Sequence, residues 1–325
     1  MSPRRRPVPL AVPAAVLATV LAACGGEPGT GPSAPTTSAG TPSAGSPGPT
    51  GSPTPVAPEL VAPALAADAE ELARRLVAAE DLVRDPGAAE HTRRQAAFET
   101  QVLYRQLARE RSWQDRALAE AGAYRTIAAD HIEARTSLRG VLTRLSAELP
   151  AWRIVAPAPL DELRAHYEEG ERRFGVPWEV LAAVNLVETG FGKIRGYSSA
   201  GARGPMQFIP STWARYGRGD IDDPRDAILA AARYLAASGG GTPGRLDEAL
   251  FAYNHHDGYV RGIRAYARIL ERDPGALAGL YHWQVLYLSQ RGDLWLPHGY
   301  RRRTPLPVAD YLARHPERLL GTSTD

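Results

Sequence analysis

The sequence predicts a mainly α-helical protein: a helical domain with one short β-hairpin near its C-terminal end, preceded by a small helical bundle. Three observations predict this class. From Leu60 to Leu149 the chain is rich in Ala, Leu, Arg and Glu, which favour helix. After residue 160, apolar residues recur at the spacing of one helical face. Later, two apolar runs flank a polar turn, which is the pattern of a hairpin.

Composition and charge narrow the class of protein. The 325 residues are 44% hydrophobic and 23% charged, as in a globular chain of about two domains. The formal net charge is +2. Arg4, Arg5 and Arg6 lie in a predicted leader, and removing these three turns 38 basic residues into 35, against 36 acidic ones. A nearly neutral mature chain gives no reason to expect nucleic acid as a partner.

The first 23 residues are predicted to be a lipoprotein signal peptide. Basic residues precede the apolar stretch 10–23, which is too short for a membrane-spanning helix of about 20 residues. It ends in Leu21-Ala22-Ala23-Cys24, and Cys24 is the only cysteine. This resembles the bacterial lipoprotein signal, which implies lipidation of Cys24 and attachment to a membrane. The alternative is an ordinary cleaved signal followed by an incidental cysteine.

Residues 24–59 are predicted to be a disordered tether, because Gly, Pro, Ser, Thr and Ala cannot bury enough apolar surface to offset the entropy of ordering. A single lysine, Lys193, beside many alanines and arginines looks actinobacterial. We therefore expect the anchor to lie at the outer face of the cytoplasmic membrane, facing the cell wall.

Residues 60–150 are predicted to be a helical hairpin or bundle. Three helical faces are expected, with a break at 85–87; they are marked by Leu65, Leu72, Leu76 and Val83, by Phe98 and Val102, and by Leu138, Leu142, Leu145 and Leu149. His91 and His131 are expected at the surface or at helix caps. The region could be a spacer, a lid or a docking surface for cell-wall assembly proteins.

Three further ranges complete the predicted organisation. Residues 151–159 are a proline-rich linker, 160–300 form the second unit, and 301–325 are a C-terminal tail. In the second unit, Pro177 and Gly190 stand where a helix begins and ends. Trp283–Leu288 and Leu294–Leu296 are the predicted hairpin strands.

Glu188 is the candidate catalytic acid. On the helix between Pro177 and Gly190 it continues the apolar stripe of Leu181 and Val184. A carboxyl group on a core-facing stripe loses hydration, which raises its pKa toward the value that a general acid needs near neutral pH. The alternative is that the last turn frays and Glu188 faces water.

Neutral polar and aromatic residues follow Glu188. They are Ser198, Gln207 with Met206 and Phe208 beside it, and Tyr253 with Asn254. Amides pair with sugar hydroxyl and acetamido groups, and rings cover the apolar faces of sugars. This set therefore indicates a cleft for an uncharged sugar chain.

These motifs resemble the lytic transglycosylase SLT domain, a family with the lysozyme-like fold. The resemblance covers about residues 160–270 and depends on Glu188-Thr189, on Gly204-Pro205-Met206-Gln207 with its following Pro and Thr, and on Ala252-Tyr253-Asn254. It implies that Glu188 is the catalytic acid and base. It also implies substrate-binding residues, which are Ser198, Met206, Gln207, Tyr253, Asn254 and, as the late tyrosine of the pattern, Tyr266.

The sequence departs from the family pattern at three places. Thr189 replaces Ser and keeps the hydroxyl, Pro205 replaces Leu, and "NHHDGYV" replaces a glycine-rich run. In that run, His255, His256 and Asp257 are not spaced to hold a metal ion. Neither a metal nor a cofactor is therefore expected.

The resemblance implies cleavage of peptidoglycan glycan strands to 1,6-anhydro-muramic ends without water. A hydrolytic muramidase is the nearest alternative and would need a second carboxylate. Asp220, Asp222 and Asp223 are the candidates, although the same run also fits a helix cap before Pro224. A second alternative is a non-catalytic cell-wall-binding scaffold lipoprotein.

Overall fold

The computed structural model describes residues 59–321, which contain twelve α-helices and six short β-strands. The predicted mainly α-helical class is confirmed. Cys24, the predicted signal peptide and all but the last residue of the predicted tether lie outside the described residues. Within the described range, no helix combines the length and the apolar character needed to span a bilayer.

Four helices form the first part of the described chain: α1 (Ala69–Arg84), α2 (Glu90–Arg109), α3 (Gln114–Glu120) and α4 (Arg125–Arg139). Asp68 begins α1 by accepting a hydrogen bond from the Glu71 amide at 2.7 Å. The expected break at residues 85–87 separates α1 from α2.

The predicted third helical face is wrong beyond Arg139. The chain turns at Gly140, and Leu149 lies instead in strand β1 (Glu148–Leu149). Leu142 and Leu145 still pack against the core, but from a turn. Beyond Arg139 the apolar residues thus keep helical spacing in the sequence although the chain is not helical, because tertiary contacts place each of them separately.

The expected surface position of His131 is also wrong. Its side chain is buried, and its ring stacks on Tyr104 with centroids 3.8 Å apart. Desolvation holds the pKa of His131 well below its ordinary value, so the ring is neutral. The reason is that α4 packs against both α2 and the later helix α10 (Asp257–Arg272), which leaves no solvent on that face.

Residues 151–159 are tied into the fold by strand β2 (Arg153–Ile154), which pairs antiparallel with β3 (Ile194–Arg195). Trp152 beside them is buried. The largest hydrophobic core is also continuous across this range, since it joins Leu72 and Leu138 to Leu181 and Ile263. The helices before and after residues 151–159 therefore share one core.

In the second part, α6 (Trp178–Thr189) is buried on almost every side. Its packing partners are α5 (Leu160–Phe174), α8 (Pro224–Ala237) and α10. Three shorter helices complete this part: α7 (Pro210–Tyr216), α9 (Leu246–Asn254) and α11 (Ala276–His282). A helix hydrophobic all round belongs in a core, so α6 is the scaffold on which the site is built.

The predicted hairpin is confirmed, with strands β4 (Val285–Ser289) and β5 (Gly292–Leu296) in the register Val285↔Leu296. The first strand begins at Val285 instead of Trp283, and the turn is shorter than expected, because Ser289, Gly292 and Asp293 belong to the strands. The described part of the expected C-terminal tail also has regular structure, in β6 (Leu306–Pro307), which pairs with β1, and in α12 (Val308–Arg314). Val308 and Tyr311 are buried in a second core with the hairpin.

Candidate active site

Glu188 lies in the last turn of α6, next to a sharp helix end. Gly190 adopts φ 57°, and the amides of Gly190 and Phe191 donate to the carbonyl oxygens of Leu186 and Asn185 at 2.9 and 3.1 Å. These two hydrogen bonds are typical of a helix that ends at a residue in the left-handed conformation, which glycine adopts without a steric penalty. The last turn is therefore held in place, and the alternative of a frayed, solvated Glu188 is wrong.

Glu188 is only 3% exposed. Burial raises its pKa to about 8, and a hydrogen bond from Tyr259 opposes part of this rise. The Tyr259 hydroxyl donates to Glu188 Oε1 at 2.8 Å. A carboxylic acid with this pKa holds its proton at neutral pH and can release it and take it back, which is what acid and base catalysis by one group requires.

Tyr259 reaches Glu188 because of how α10 begins. His255 takes a left-handed conformation with φ 58° after α9, and His256 Nδ1 then accepts a hydrogen bond from the Gly258 amide at 2.9 Å. His256 thus caps α10 and orients its first turn, where Tyr259 lies. The Tyr259 ring lies parallel to Tyr253, with centroids 6.2 Å apart.

The segment 203–208 forms a tight loop against α6. Arg203 and Phe208 exchange two backbone hydrogen bonds, and Gly204 turns the chain with φ 77°. A Cβ at Gly204 would lie 2.1 Å from the Ile221 carbonyl oxygen, so only glycine fits there. The side chains of Asn185 and Thr189 both donate to the carbonyl oxygen of Pro205, which ties the loop to the Glu188 helix.

Met206 and Gln207 lie at the tip of this loop. The Met206 carbonyl oxygen accepts a hydrogen bond from the Tyr253 hydroxyl at 2.7 Å, so the loop, Tyr253, Tyr259 and Glu188 form one connected group. Gln207 is buried with φ 49°, and its side-chain nitrogen donates to the Gly204 carbonyl oxygen. Its Oε1 is buried and has no hydrogen-bond partner among the described residues, so its capacity to accept is unused.

Ser198 shapes the loop that follows β3. Its hydroxyl oxygen accepts hydrogen bonds from the amides of Ala200 and Ala202, at 3.2 and 3.0 Å. The neighbouring Tyr197 is 64% exposed and is one of the few large exposed rings of the described chain. Sequence reasoning missed Tyr197, although an exposed ring beside a sugar-site candidate is suited to cover a sugar face.

The structure brings most of the predicted site residues together. Glu188, Met206, Gln207 and Tyr253 belong to the connected group, and Asn254 is buried at the end of α9 beside Tyr253. Ser198 lies in the adjoining loop.

Tyr266 is not brought to Glu188. It lies further along α10 in the core, where its ring faces His131 and Trp283. Tyr259, which sequence reasoning missed, stands at the position expected of Tyr266. Both belong to one buried face of α10, so periodicity could not distinguish them; a tyrosine in the first turn of the helix, next to Tyr253-Asn254, was the available signal.

Three aspartates are the candidates for the second carboxylate of a hydrolase, and each of them has a contact in the turn before α8. Asp223 caps α8 by accepting from the Asp226 amide at 2.9 Å, as the capping interpretation predicted. Asp220 accepts from the Asp222 amide at 2.9 Å, and Asp222 forms an ion pair with Arg203 at 3.1 Å. All three therefore serve the turn before α8.

Comparison with known proteins finds similarity in the region that contains Glu188, the loop 203–208 and Tyr259. Residues 166–273 match the family model described as the transglycosylase SLT domain. The membrane-bound lytic murein transglycosylase F of Thiobacillus denitrificans is 34% identical over 154 residues, which are 45% of this chain and 32% of that protein. Its counterpart in Nitrosospira multiformis is 29% identical over 180 residues, or 53% of this chain and 35% of that protein.

A third relative, membrane-bound lytic murein transglycosylase F 2 of Alkalilimnicola ehrlichii, is 29% identical over 171 residues, 51% of this chain and 35% of that protein. The chain thus spans about a third of the length of the curated relatives it matches. No solved structure matches it significantly.

Proposed function

We propose that this chain, whose residues 166–273 are a transglycosylase SLT domain, is a peptidoglycan lytic transglycosylase. It would cleave the β-1,4 bond between N-acetylmuramic acid and N-acetylglucosamine without water and leave a 1,6-anhydro-muramic end. One observation carries the proposal: within the matched range, Glu188 is buried, has a pKa of about 8 and accepts a hydrogen bond from Tyr259.

The first step uses protonated Glu188 as a general acid. Glu188 gives its proton to the glycosidic oxygen while the bond from that oxygen to the muramic C1 breaks. The acetamido group of the same sugar stabilises the positive charge that develops at C1. The buried setting of Glu188 supports this step, because the acid must still hold its proton at neutral pH.

The second step uses the ionised Glu188 as a base. It takes the proton from the muramic C6 hydroxyl, whose oxygen then attacks C1 and closes the 1,6-anhydro ring. Glu188 ends protonated, ready for another cycle, and no water is consumed. The Tyr259 hydroxyl supports the intervening carboxylate, because a hydrogen bond to the charged form stabilises it.

The remaining residues would hold the glycan strand. Gln207 Oε1 is the acceptor available for an N–H or O–H of the sugar, and Met206 and Tyr253 fix the loop that carries it. Ser198 and Asn254 are proposed to contact the substrate beside them. The engagement of Asp220, Asp222 and Asp223 in the turn before α8 favours this mechanism over hydrolysis by two carboxylates.

Mass spectrometry of the products tests the function. The purified chain and its Glu188→Gln variant are incubated with purified peptidoglycan. We expect the chain to release muropeptides that end in 1,6-anhydro-muramic acid, and the variant to bind but release none. Reducing ends would show a hydrolase, and equal release by both proteins would show that Glu188 is not the acid.

The location at the cell wall is proposed from the N-terminal sequence and from the relatives, whose names describe them as membrane-bound. Residues 1–23 would be removed, Cys24 lipidated, and residues 24–59 would tether the domain to the outer face of the cytoplasmic membrane. Replacement of Cys24 by Ser should release the chain from the membrane fraction; retention there would contradict the anchor.

The region 60–150 is proposed to support the catalytic domain and to dock cell-wall assembly proteins. Two observations support docking. The first is that this region exposes three large apolar residues, Val61, Leu65 and Leu82, with 70%, 40% and 40% of their surface accessible. The second is that they lie outside the shared core, so a partner could cover them without unfolding the domain.

A further inference from the structure

Three arginines stand side by side on the small sheet next to the site. Arg153 of β2 is the direct antiparallel partner of Arg195 of β3, and on its other side it bridges to Arg301. Their neighbours Trp152, Ile154 and Ile194 are buried, so the arginines point to the opposite, outer face. We call Arg301, Arg153 and Arg195 the arginine row.

The arginines are close together. The amides of Ile154 and Arg302 donate to the carbonyl oxygens of Tyr300 and Trp152, at 2.8 and 2.9 Å. These bonds flank Arg153 and Arg301, which makes those two a non-hydrogen-bonded pair, the type in which facing Cα atoms are only about 4.5 Å apart. Like charges directly opposite one another destabilise a sheet.

No carboxylate compensates this repulsion within residues 59–321. None of the three guanidinium groups forms an ion pair there. Arg195 donates to the backbone oxygen of Asp222 at 2.9 Å, while the carboxylate of Asp222 pairs with Arg203. Arg153 and Arg301 are both exposed. The row is therefore a concentrated positive charge that an anionic ligand would stabilise.

The row adjoins the proposed glycan site. Strand β3 follows directly from the helix end and turn after Glu188, and Arg195 leads into the loop of Tyr197 and Ser198. Trp152 packs against Gly196, where a Cβ would lie 2.4 Å from Trp152 Cδ1, so β2 holds this loop closely. A ligand lying along the loop would pass beside the row.

We propose that the arginine row binds free carboxylate groups of the peptide stems on peptidoglycan, a proposal that rests on the proposed function. The stems leave the lactyl group of each N-acetylmuramic acid, so a strand held beside Ser198 would project carboxylates next to its sugars. Planar guanidinium groups suit this ligand, because each can give two parallel hydrogen bonds to one carboxylate. Anionic lipid headgroups are the competing ligand, but continuity with the Ser198 loop favours the substrate.

The test compares two substrates that differ only in their stems. One is glycan strands with intact stems, and the other is the same strands stripped by an N-acetylmuramoyl-L-alanine amidase. The full chain and an Arg153→Gln/Arg301→Gln variant are assayed for anhydro-muramic ends, and KM is measured at low and moderate salt. The control, Arg74→Gln/Arg125→Gln, removes the same charge from exposed arginines of α1 and α4.

We expect the row variant to raise KM roughly tenfold on strands with stems, with little change in kcat, and to leave KM on stripped strands unchanged. Its KM should also depend less on salt than that of the unaltered chain. The control should match the unaltered chain on both substrates.

Two results would overturn the proposal. One is an equal change, or no change, of KM on both substrates. The other is unchanged KM with weaker binding to vesicles containing 30% phosphatidylglycerol, which would assign the row to a membrane. If the unaltered chain cleaved neither substrate, the proposed function would fail. Isothermal titration calorimetry of Glu188→Gln, with and without the row substitutions, against both kinds of strand would still test the row: weaker binding only to strands with stems would support it, and equal binding to both would overturn it.

Discussion

At the scale of single residues, two opposing effects set the protonation of Glu188. Burial raises its pKa, and the hydrogen bond from Tyr259 lowers it by stabilising the carboxylate. Burial is the larger effect, so the pKa lies at about 8. A general acid with this pKa is protonated at neutral pH, and its activity should fall as pH rises through this value.

The Tyr259→Phe substitution should change the pH profile. It removes the donor to Glu188 Oε1, so the pKa of Glu188 rises further and the alkaline limb of the kcat profile moves to higher pH. Turnover should fall, because the carboxylate formed between the two steps loses its hydrogen bond. Rates of anhydro-muramic end formation between pH 5 and about pH 10 measure both effects.

Tyr253→Phe is the matched control for this change. It also removes a buried tyrosine hydroxyl, but one that donates to Met206 and not to Glu188. Its alkaline limb should stay where it is in the unaltered chain. An unchanged limb in Tyr259→Phe would contradict the assignment of Tyr259.

Glu188→Gln should abolish activity but raise the free energy of unfolding. The pKa of 4.5 expected in the unfolded chain rises to about 8 in the folded chain, so the stability present below pH 4.5 is lost as pH rises toward 8. Glu188→Gln stays neutral and avoids this loss. We expect the variant to be more stable by about 3 kcal/mol at pH 7 and by little below pH 4.5.

Chemical denaturation at pH 4 and at about pH 7 measures this difference. The exposed Glu162→Gln of α5 is the control, since it removes a carboxylate that is not buried. A Glu188→Gln variant no more stable than the unaltered chain at neutral pH would show that Glu188 is not desolvated in solution.

At the scale of elements, the contact between α4 and α10 positions the first turn that carries Tyr259. Two glycines of α10 allow the close approach. A Cβ at Gly258 would lie 2.5 Å from the Ser137 carbonyl oxygen, and one at Gly262 would lie 2.5 Å from Leu138 Cγ. The N-terminal helices therefore act on the proposed site through the placement of α10.

Gly262→Ala tests this placement. Alanine favours helix by roughly 0.5–1 kcal/mol over glycine, but the clash with Leu138 should outweigh that gain and destabilise the chain by about 1–3 kcal/mol. Because α10 must move, we also expect lower kcat and a displaced alkaline limb. Leu138→Ala in the same chain makes room for the new methyl group, so it should recover part of the limb shift and of kcat.

The control is Gly279→Ala in α11, where a Cβ would lie 2.8 Å from Val83 Cγ1. It introduces a similar clash between helices, but α11 does not carry Tyr259. We expect a loss of stability without a shift of the alkaline limb. The same limb shift in both variants would show a general loss of packing and not a specific effect on Tyr259.

At the scale of the whole molecule, a buried ion network joins the first helices to the hairpin. Asp293 of β5 accepts hydrogen bonds from Arg105 and Arg109 of α2, at 2.7 Å from Arg105 Nε and 2.6 Å from Arg109 Nη1. Asp293 is 2% exposed, and these arginines hold its pKa well below the ordinary value despite its burial. The network and the shared hydrophobic core make the two regions depend on each other.

Asp293→Asn should therefore destabilise the whole chain by about 3–5 kcal/mol at pH 7, because it leaves the buried guanidinium of Arg105 without its carboxylate. The pKa of Asp293 is lowered in the folded chain, so its contribution is present above the unfolded pKa of 3.8 and is lost only in more acidic solution. The variant and the unaltered chain should thus become more alike at low pH.

Asp273→Asn is the control for this change. It breaks the Arg84 pair, whose side chains are 21% and 28% exposed, and should cost about 1 kcal/mol or less. Urea unfolding at pH 7 and at about pH 3 compares the two variants. Similar losses for both would show that the Asp293 network does not join the two regions.

What the sequence by itself determined is local in the chain. The break at 85–87, the helix between Pro177 and Gly190, and the hairpin all follow from residues that are neighbours in sequence. The resemblance to the SLT domain grouped Glu188 with the Met206-Gln207 loop, and hydrogen bonds from Asn185 and Thr189 tie that loop to the Glu188 helix. Reasoning from spacing failed at Leu149, because apolar residues with helical spacing also occur in a turn and a strand. It failed again at Tyr259 and Tyr266, because both lie on the same buried face of α10.

Only the tertiary structure decided the contacts between distant parts of the chain. It placed Tyr259 on Glu188, turned an expected tail into a strand and a helix, buried His131 between α2 and α10, and aligned three arginines from three segments. Such contacts depend on which faces meet when the helices pack. The spacing of apolar residues along the chain shows which face of a helix is buried. Which other element covers that face depends on how the helices pack and on the apolar surface that each arrangement removes from water.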